Sequence, residues 1–141
     1  MRFDILTIFP NLFDSFKNES LLKKAQDKEL ITIALHDVRD FASDKHKTVD
    51  DKPYGGGAGM LMKIEPLVKT LESIKRVSSS GSAVKSRVIL LSPSGKQFDQ
   101  KRANLFAKKY DQLIFVCGRY EGIDARIKKF VDEELSVGPY V

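Results

Sequence analysis

Short apolar runs alternate with segments of helical periodicity along this chain, and that order restricts its fold more than any other feature. The runs span residues 3–9, 31–35, 88–91, 113–116 and 133–137, and most are rich in β-branched or aromatic side chains. The helical segments span residues 11–16, 20–28, 64–75, 98–108 and 125–130. Strands separated by helices usually pair in parallel. We therefore predict an α/β fold, a mostly parallel sheet with helices on both faces, in which Ser20 and Asp124 cap two of the helices.

The composition is that of one globular domain. The chain has 141 residues, of which 42% are hydrophobic and 30% charged. Its net charge of +5 suits a polyanionic partner such as RNA, although many solvated surfaces carry a similar excess. With neither a signal peptide nor a membrane-spanning stretch, we expect a cytoplasmic protein with no membrane partner. The single cysteine, Cys117, excludes an intrachain disulfide and a cysteine zinc cluster, so we expect a buried thiol and no bound metal.

Three loops, at residues 92–95, 118–122 and 138–141, each follow a predicted strand. The carboxyl ends of parallel strands lie at one edge of a sheet, so we expect the loops to converge there. The loops contain the aromatic residues Tyr120 and Tyr140 and the carboxylate Glu121. They lack the Gly-Lys-Ser/Thr of a P-loop and the Gly-x-Gly-x-x-Gly of a dinucleotide site.

A carboxylate among aromatic rings suits a cationic ligand, because both attract positive charge. The sulfonium of S-adenosylmethionine is one such ligand, and its adenine needs only an apolar slot with backbone hydrogen bonds. Ordinary strand-to-helix turns with exposed charges have the same composition, so the loops alone leave both interpretations open.

Two polar segments interrupt the pattern. Val38–Met62 has no clear period and ends in a glycine-rich run, while Val77–Ser86 is serine-rich and indicates a flexible connection. Long segments such as Val38–Met62 are usually functional or disordered. The composition fits a solvated loop and also a lid over a phosphate-bearing substrate, with Tyr54 stacked on a base. His46 fits a general base or an ordinary polar side chain.

Four motifs carry a resemblance to a known family. They are TVDDKPYGGGAGM at 48–60, LSPSG at 91–95, VCGRYEGID at 116–124 and SVGPYV at 136–141. In this order and approximate spacing, and together with residues 8–13 and 39–41, they resemble the bacterial tRNA (guanine-N1)-methyltransferases of the TrmD type. The resemblance covers essentially the whole chain.

The resemblance implies a SPOUT-class α/β domain with a C-terminal trefoil knot, a rare exception to unknotted chains. It implies a homodimer with active sites at the subunit interface. It also implies S-adenosylmethionine as the methyl donor and, as acceptor, N1 of the tRNA guanosine 3′ of the anticodon. The family continues beyond the equivalent of Val141 to complete the knot and add a helical domain. We therefore expect residues 1–141 to be a truncated S-adenosylmethionine-binding domain that lacks the helical domain.

The resemblance also assigns roles to residues. The donor-binding positions are Leu91, Ser92, Pro93, Gly95, Gly118, Tyr120, Glu121, Gly122, Val137, Gly138, Pro139, Tyr140 and Val141. The tRNA-binding positions are Asp50, Tyr54, Gly55, Gly56, Gly57 and Gly59. Glu121 resembles a catalytic acidic residue near the reacting centre, whereas the family's general-base Asp lies beyond Val141. Pro139 stands where the family usually has Asp, which removes a carboxylate and a backbone N–H.

We expect a methyltransferase fragment. Guanine N1 carries a proton that a base must remove during transfer. Without the family's general base, we expect residues 1–141 to bind the donor weakly and to methylate little. Two alternatives remain: a non-catalytic RNA-binding or dimerisation remnant of the same fold, and an unrelated nucleotide-binding α/β module.

Overall fold

A parallel sheet forms the centre of the protein in a computed structural model that describes residues 1–74 and 84–140. The strands are β1 (Arg2–Thr7), β2 (Thr32–Asp37), β3 (Asp50–Asp51), β4 (Leu61–Met62), β5 (Ser86–Gln97), β6 (Gln112–Cys117) and β7 (Glu133–Ser136). Within the described residues, five strands form this sheet in the order β2-β1-β6-β5-β7, and every neighbouring pair is parallel. Strands β3 and β4 form a separate antiparallel pair. The predicted α/β fold with a parallel sheet is confirmed.

Helices connect the strands. The α-helices are α1 (Asp14–Asn18), α2 (Ser20–Asp27), α3 (Ile64–Ser73) and α4 (Gln100–Lys109). Three 3₁₀-helices lie at Pro10–Phe13, Val38–Phe41 and Ala125–Lys129 in the described part of the chain. Asp124 caps the last of these, as predicted, because its carboxylate accepts a hydrogen bond from the backbone N–H of Arg126. The prediction that Ser20 is an N-cap is wrong: Glu19 occupies the cap, without a side-chain hydrogen bond.

The two faces of the sheet build two separate cores. Along β5, Val88 and Leu90 point to one face and pack in a cluster with Leu67 of α3. The intervening Ile89 points to the other face and packs with Phe106 of α4. Each face is therefore covered by a helix, as the alternation of strands and helices indicates.

Strand β5 differs from the sequence prediction, which ends it at Leu91. Leu135 of β7 pairs with Leu91 and again with Lys96, so the intervening residues 92–95 form an excursion from the ladder. Gly95 ends this excursion directly on β7, where a Cβ would lie 2.6 Å from the backbone nitrogen and carbonyl carbon of Leu135. Only glycine permits so close an approach of two backbones.

Some predicted features lie outside the described residues. Most of the flexible connection predicted at Val77–Ser86 is among them, although Ser86 begins β5. Val141 also lies outside. Among the described helices, none has both the length and the apolar character needed to cross a membrane.

Candidate functional site

Two of the three predicted loops border one cavity at the carboxyl edge of the sheet. The cavity has a volume of about 600 Å³ and is lined by the excursion of β5 and by the loop after β6. The predicted donor-binding residues that line it are Leu91, Ser92, Pro93, Gly118, Tyr120, Glu121 and Gly122. Gly95 instead packs against β7. The carboxyl edge of a parallel sheet is the usual ligand site in α/β folds.

The glycine-rich motif is bonded to the loop after β6 through backbone hydrogen bonds. Glu121 N–H donates to Met60 O over 3.1 Å, and Met62 N–H donates to Gly122 O over 3.0 Å. A third backbone hydrogen bond between the same two segments runs from Asp124 N–H to Met62 O over 3.1 Å. Two motifs that are about sixty residues apart in the sequence therefore form one continuous edge beside the cavity.

Gly59 packs directly against the loop after β6. Its φ of +95° lies in a region that side chains rarely adopt, and a Cβ there would collide with Cγ of Glu121. The contact brings a predicted tRNA-binding residue against the predicted catalytic carboxylate. Glu121 itself is solvent-exposed.

The remaining tRNA-binding positions occupy β3 and the exposed segment before Gly59. Asp50 is half-buried in β3, and its backbone pairs with Met62. Gly55, Gly56 and Gly57 are exposed, and a hydrogen bond from Gly56 N–H to Pro53 O over 3.0 Å closes a turn over residues 53–56.

Tyr54 is 89% exposed, and its hydroxyl accepts a hydrogen bond from Nη2 of Arg126 over 3.3 Å. The Arg126 guanidinium also lies 5.6 Å from the centre of the Tyr54 ring. Arg126 is not among the predicted site residues, because a charge after a helix cap gives no sign of a partner 72 residues away.

The polar segment Val38–Met62 is ordered by its own contacts. The Asp44 carboxylate accepts hydrogen bonds from Thr48 N–H over 2.9 Å and from the Thr48 hydroxyl over 2.7 Å. Val49, which follows this turn, is completely buried. His46 donates its backbone N–H to Asp44, and it does not line the 600 Å³ cavity. These contacts favour an ordered segment over a solvated loop.

The third predicted loop begins at the same edge but contributes no side chain to the 600 Å³ cavity within the described residues. Its backbone folds onto Ser136, whose hydroxyl donates to Gly138 O over 2.6 Å, and the ring of Tyr140 covers Gly138. Pro139 is exposed beside them. Val137 instead joins Leu91 at an apolar cavity of about 240 Å³. Leu91 therefore lines both cavities, whereas Val137, which is also a predicted donor-binding residue, lines only the apolar one.

Two arginines that are not among the predicted site residues lie against an aromatic ring near the site. The guanidinium carbon of Arg119 lies 5.4 Å from the centre of the Phe9 ring, and that of Arg39 lies 5.9 Å from it. Arg119 also lines the 600 Å³ cavity. Neither guanidinium forms an ion pair with a residue that the structure describes, so both can meet an anion.

Cys117 lines the apolar cavity and is partly buried. Burial raises the pKa of its thiol to about 11, against a smaller opposing effect of Arg119. The thiol is therefore protonated at neutral pH, in agreement with the predicted buried thiol, and it is not an activated nucleophile. Among residues 1–74 and 84–140, the side chains of His, Cys, Asp and Glu form no group suited to hold a metal ion.

Fold and site together define an α/β domain of the class that binds its ligand in loops at the carboxyl edge of a parallel sheet. Residues 1–141 match the family model described as tRNA (Guanine-1)-methyltransferase TrmD. The chain is similar to tRNA (guanine-N(1)-)-methyltransferases from Dictyoglomus turgidum (52% identical), Carboxydothermus hydrogenoformans (50%) and Enterococcus faecalis (46%). These alignments include all of this chain and 54%, 53% and 56% of the respective relatives.

The chain therefore belongs to the TrmD family of tRNA (guanine-1)-methyltransferases. It spans about half the length of the curated relatives it matches.

Proposed function

We propose that this chain is the donor-binding part of an enzyme that transfers a methyl group from S-adenosylmethionine to N1 of the tRNA guanosine 3′ of the anticodon. The observation that carries the proposal is the single cavity bordered by the excursion 92–95 and the loop 118–122, with Gly59 packed on Glu121 beside it. This arrangement brings the predicted donor-binding and tRNA-binding residues within contact of one another. We also propose that residues 1–141 form one domain, in the cytoplasm, and that the family's helical domain lies outside them.

The residues around the cavity fit the donor. The volume of about 600 Å³ is within the range of small-molecule sites, about 300–1,000 Å³. Leu91 and Ile123 offer apolar surface, and the loop backbones offer hydrogen-bonding groups. The Tyr120 ring and the Glu121 carboxylate suit the positive sulfonium. When bound, S-adenosylmethionine supplies an activated methyl group.

On the acceptor side, the chain holds and orients the guanine. The backbone bond to Met60 and the contact with Gly59 fix Glu121 at the border between the two parts of the site. An ionised carboxylate there accepts hydrogen bonds from the N–H groups of a guanine Watson–Crick edge. Such a contact orients the guanine with N1 toward the methyl donor, and the N1 proton passes to a general base during the transfer.

The proposed enzyme is a homodimer. Large apolar side chains are exposed on the first helices, on α4 and at the end of β7, in a pattern that suits a subunit interface. They are Leu12 (64% exposed), Phe16 (63%), Leu21 (76%), Leu105 (53%) and Val137 (66%).

We also propose that the polypeptide forms the family's trefoil knot. The support is the excursion of β5, which leaves β7 at Leu135 and returns to it at the same residue. A polypeptide that continues beyond Val141 next to residues 92–95 is suited to complete a knot around this excursion.

Calorimetric titration with S-adenosylmethionine tests the proposed function. We expect binding heat from the parent chain and from Asn104→Trp, a control at an exposed neutral position on α4. We expect none from Gly118→Trp, because the indole fills the cavity and collides with Ile123, which already lies 3.2 Å from a Cβ at this position. Absence of heat from the parent chain would instead support a remnant without a donor site. Competition by mononucleotides without any binding of the methyl donor would support a nucleotide-binding module.

A further inference from the structure

We propose that Arg126 is a positioning residue that fastens the tip of the glycine-rich segment to the cap of the loop after β6. Its guanidinium holds Asp124 on one side and Tyr54 on the other. The role in catalysis that we assign to this contact rests on the proposed function, whereas the fastening itself does not require it.

The contact with Asp124 holds the guanidinium in one orientation. Arg126 Nε donates to both carboxylate oxygens of Asp124 over 3.0 Å, and Nη2 donates to Oδ2 over 2.6 Å. The planar fork of arginine matches a carboxylate in this way, and lysine does not. The hydrogen bond from Arg126 lowers the pKa of Asp124, and that of Arg126 is raised in return. Asp124 is buried, so its end of the pair is fixed.

The contact with Tyr54 holds the exposed end. The same Nη2 atom donates to the Tyr54 hydroxyl over 3.3 Å, and the guanidinium lies 5.6 Å from the ring centre. Among the described residues, this is the side-chain hydrogen bond that joins segment 53–58 to the rest of the protein. Glu65 lies 3.9 Å from the same Nη2 and adds a second carboxylate beside it.

The backbone shows why this contact matters. Hydrogen bonds from Glu121 to Met60 and from Met62 to Gly122 fix only the base of the segment. The glycines between that base and Tyr54 allow the tip to turn. Without Arg126, Gly59 stays on Glu121 while the Tyr54 ring is free to leave the site. Arg126 therefore orders a base-stacking tyrosine and the cap of the donor loop together.

Fluorescence tests the fastening in the ligand-free protein. The chain contains no tryptophan, so Tyr54→Trp introduces a single fluorophore that keeps an aromatic ring beside Arg126. We compare acrylamide quenching and anisotropy of Y54W with those of Y54W/R126Q. The control, Y54W/K129Q, loses the same charge from the same 3₁₀-helix. In the docked state the indole at position 54 lies against the side chain of residue 126. We expect the ratio of docked to undocked indole to fall about two- to fivefold in Y54W/R126Q, as removal of an exposed cation–π interaction predicts, and to be unchanged in the control. Equal quenching of all three proteins would overturn the proposal.

A second measurement avoids any change at Asp124. Because Tyr54 is almost fully exposed, Tyr54→Leu leaves the core intact. We expect the NMR signal of the Arg126 Nε–H to shift in Tyr54→Leu, since the ring current is removed, and to stay in place in Tyr140→Leu. An unchanged signal in Tyr54→Leu would overturn the fastening even if R126Q fails to fold.

Addition of S-adenosylmethionine separates this proposal from the proposed function. We expect the donor to raise the anisotropy of Y54W but not that of Y54W/R126Q. Fastening without any calorimetric binding of the donor supports the role of Arg126 and contradicts the proposed function. Donor binding with equal mobility of the indole in both proteins contradicts only the role of Arg126.

Discussion

Gly59 lies against the side chain of Glu121, so closely that a Cβ at position 59 would collide with Cγ of the glutamate. The contact joins residues that are 62 positions apart in the sequence. Because Gly59 also has a φ of +95°, two independent constraints exclude any other residue there.

Gly59→Ala should therefore destabilise the protein and displace Glu121. The unfavourable backbone alone costs about 1–2 kcal/mol, before the collision is counted. Urea unfolding measures the decrease in stability. Gly55→Ala is the matched control, since no atom lies within 4 Å of a Cβ at that position, and its change should stay within about 0.5 kcal/mol. Equal stability of the two variants would contradict this account of Gly59.

The arginines beside Phe9 should bind phosphate groups of RNA. Replacing both Arg39 and Arg119 by Gln removes two guanidiniums that form no ion pair with any described residue, so affinity for an anticodon stem-loop RNA should fall. The slope of log affinity against log salt should also decrease, by about 0.7–0.9 for each phosphate that the variant no longer neutralises. Filter binding over a range of salt concentrations measures both quantities. A Lys101→Gln/Lys108→Gln variant removes two exposed charges from α4 as the control. An equal effect of the two double variants would mean that only net charge matters.

The buried carboxylate of Asp4 should make stability depend on pH. It accepts hydrogen bonds from Arg2 Nε, His36 Nε2 and Gln112 Nε2, each over 2.8 Å. Burial by itself would raise the pKa of Asp4, but the hydrogen bonds from His36, Arg2 and Gln112 outweigh it and hold the pKa well below its ordinary value of 3.8. Since folding lowers this pKa, the contribution to stability is complete above the ordinary value. It is lost as the pH falls from there toward the folded value.

Urea unfolding between pH 7 and pH 2 measures this effect. The parent chain should lose stability in acid more steeply than Asp4→Asn, which has no carboxylate at this site to protonate. Asp4→Asn should itself cost about 2 kcal/mol at pH 7, because Arg2 and His36 lose a charged acceptor. Asp40→Asn, which removes an exposed pair with Lys47, is the control and should change little. Parallel acid profiles for parent and Asp4→Asn would show that other groups control the acid transition.

Phe16→Glu should weaken self-association of the chain. Phe16 is 63% exposed on α1, within the proposed subunit interface, and a buried charge there lacks a partner. Sedimentation velocity should detect the shift toward monomer. Leu30 is equally exposed (64%) but precedes β2, at the amino edge of the sheet and outside the proposed interface. Leu30→Glu is therefore a matched control. A parent chain that is already monomeric would contradict the proposed dimer.

The local features of this fold were predictable from the sequence. The alternation of Val88, Ile89 and Leu90 between two faces follows from the period of a strand, and β-branched runs separated by helices predict a parallel sheet. The cap at Asp124 is a local interaction as well, so its signal lies within three residues. Ser20 was the exception, because the chain enters α2 with Glu19 at the cap and Ser20 at a φ of +53°.

The features that remained hidden depend on distant partners. The proline and glycine of segment 92–95 indicate a turn, but only β7 determines that β5 resumes after it. Arg126 appears in the sequence as one charge among several, and its partner Tyr54 is known only once β4 meets the loop after β6. Asp4 resembles a polar interruption of a strand until His36 and Gln112 flank it in neighbouring strands.

Because Leu135 pairs with both Leu91 and Lys96, the first wall of the cavity depends on a strand that is synthesised about forty residues later. Residues 92–95 have nothing to curve around while the ribosome is still adding the residues before β7. The wall can therefore take its shape only after β7 has been synthesised, and any premature stop before Leu135 would release a polypeptide whose carboxyl edge is still open.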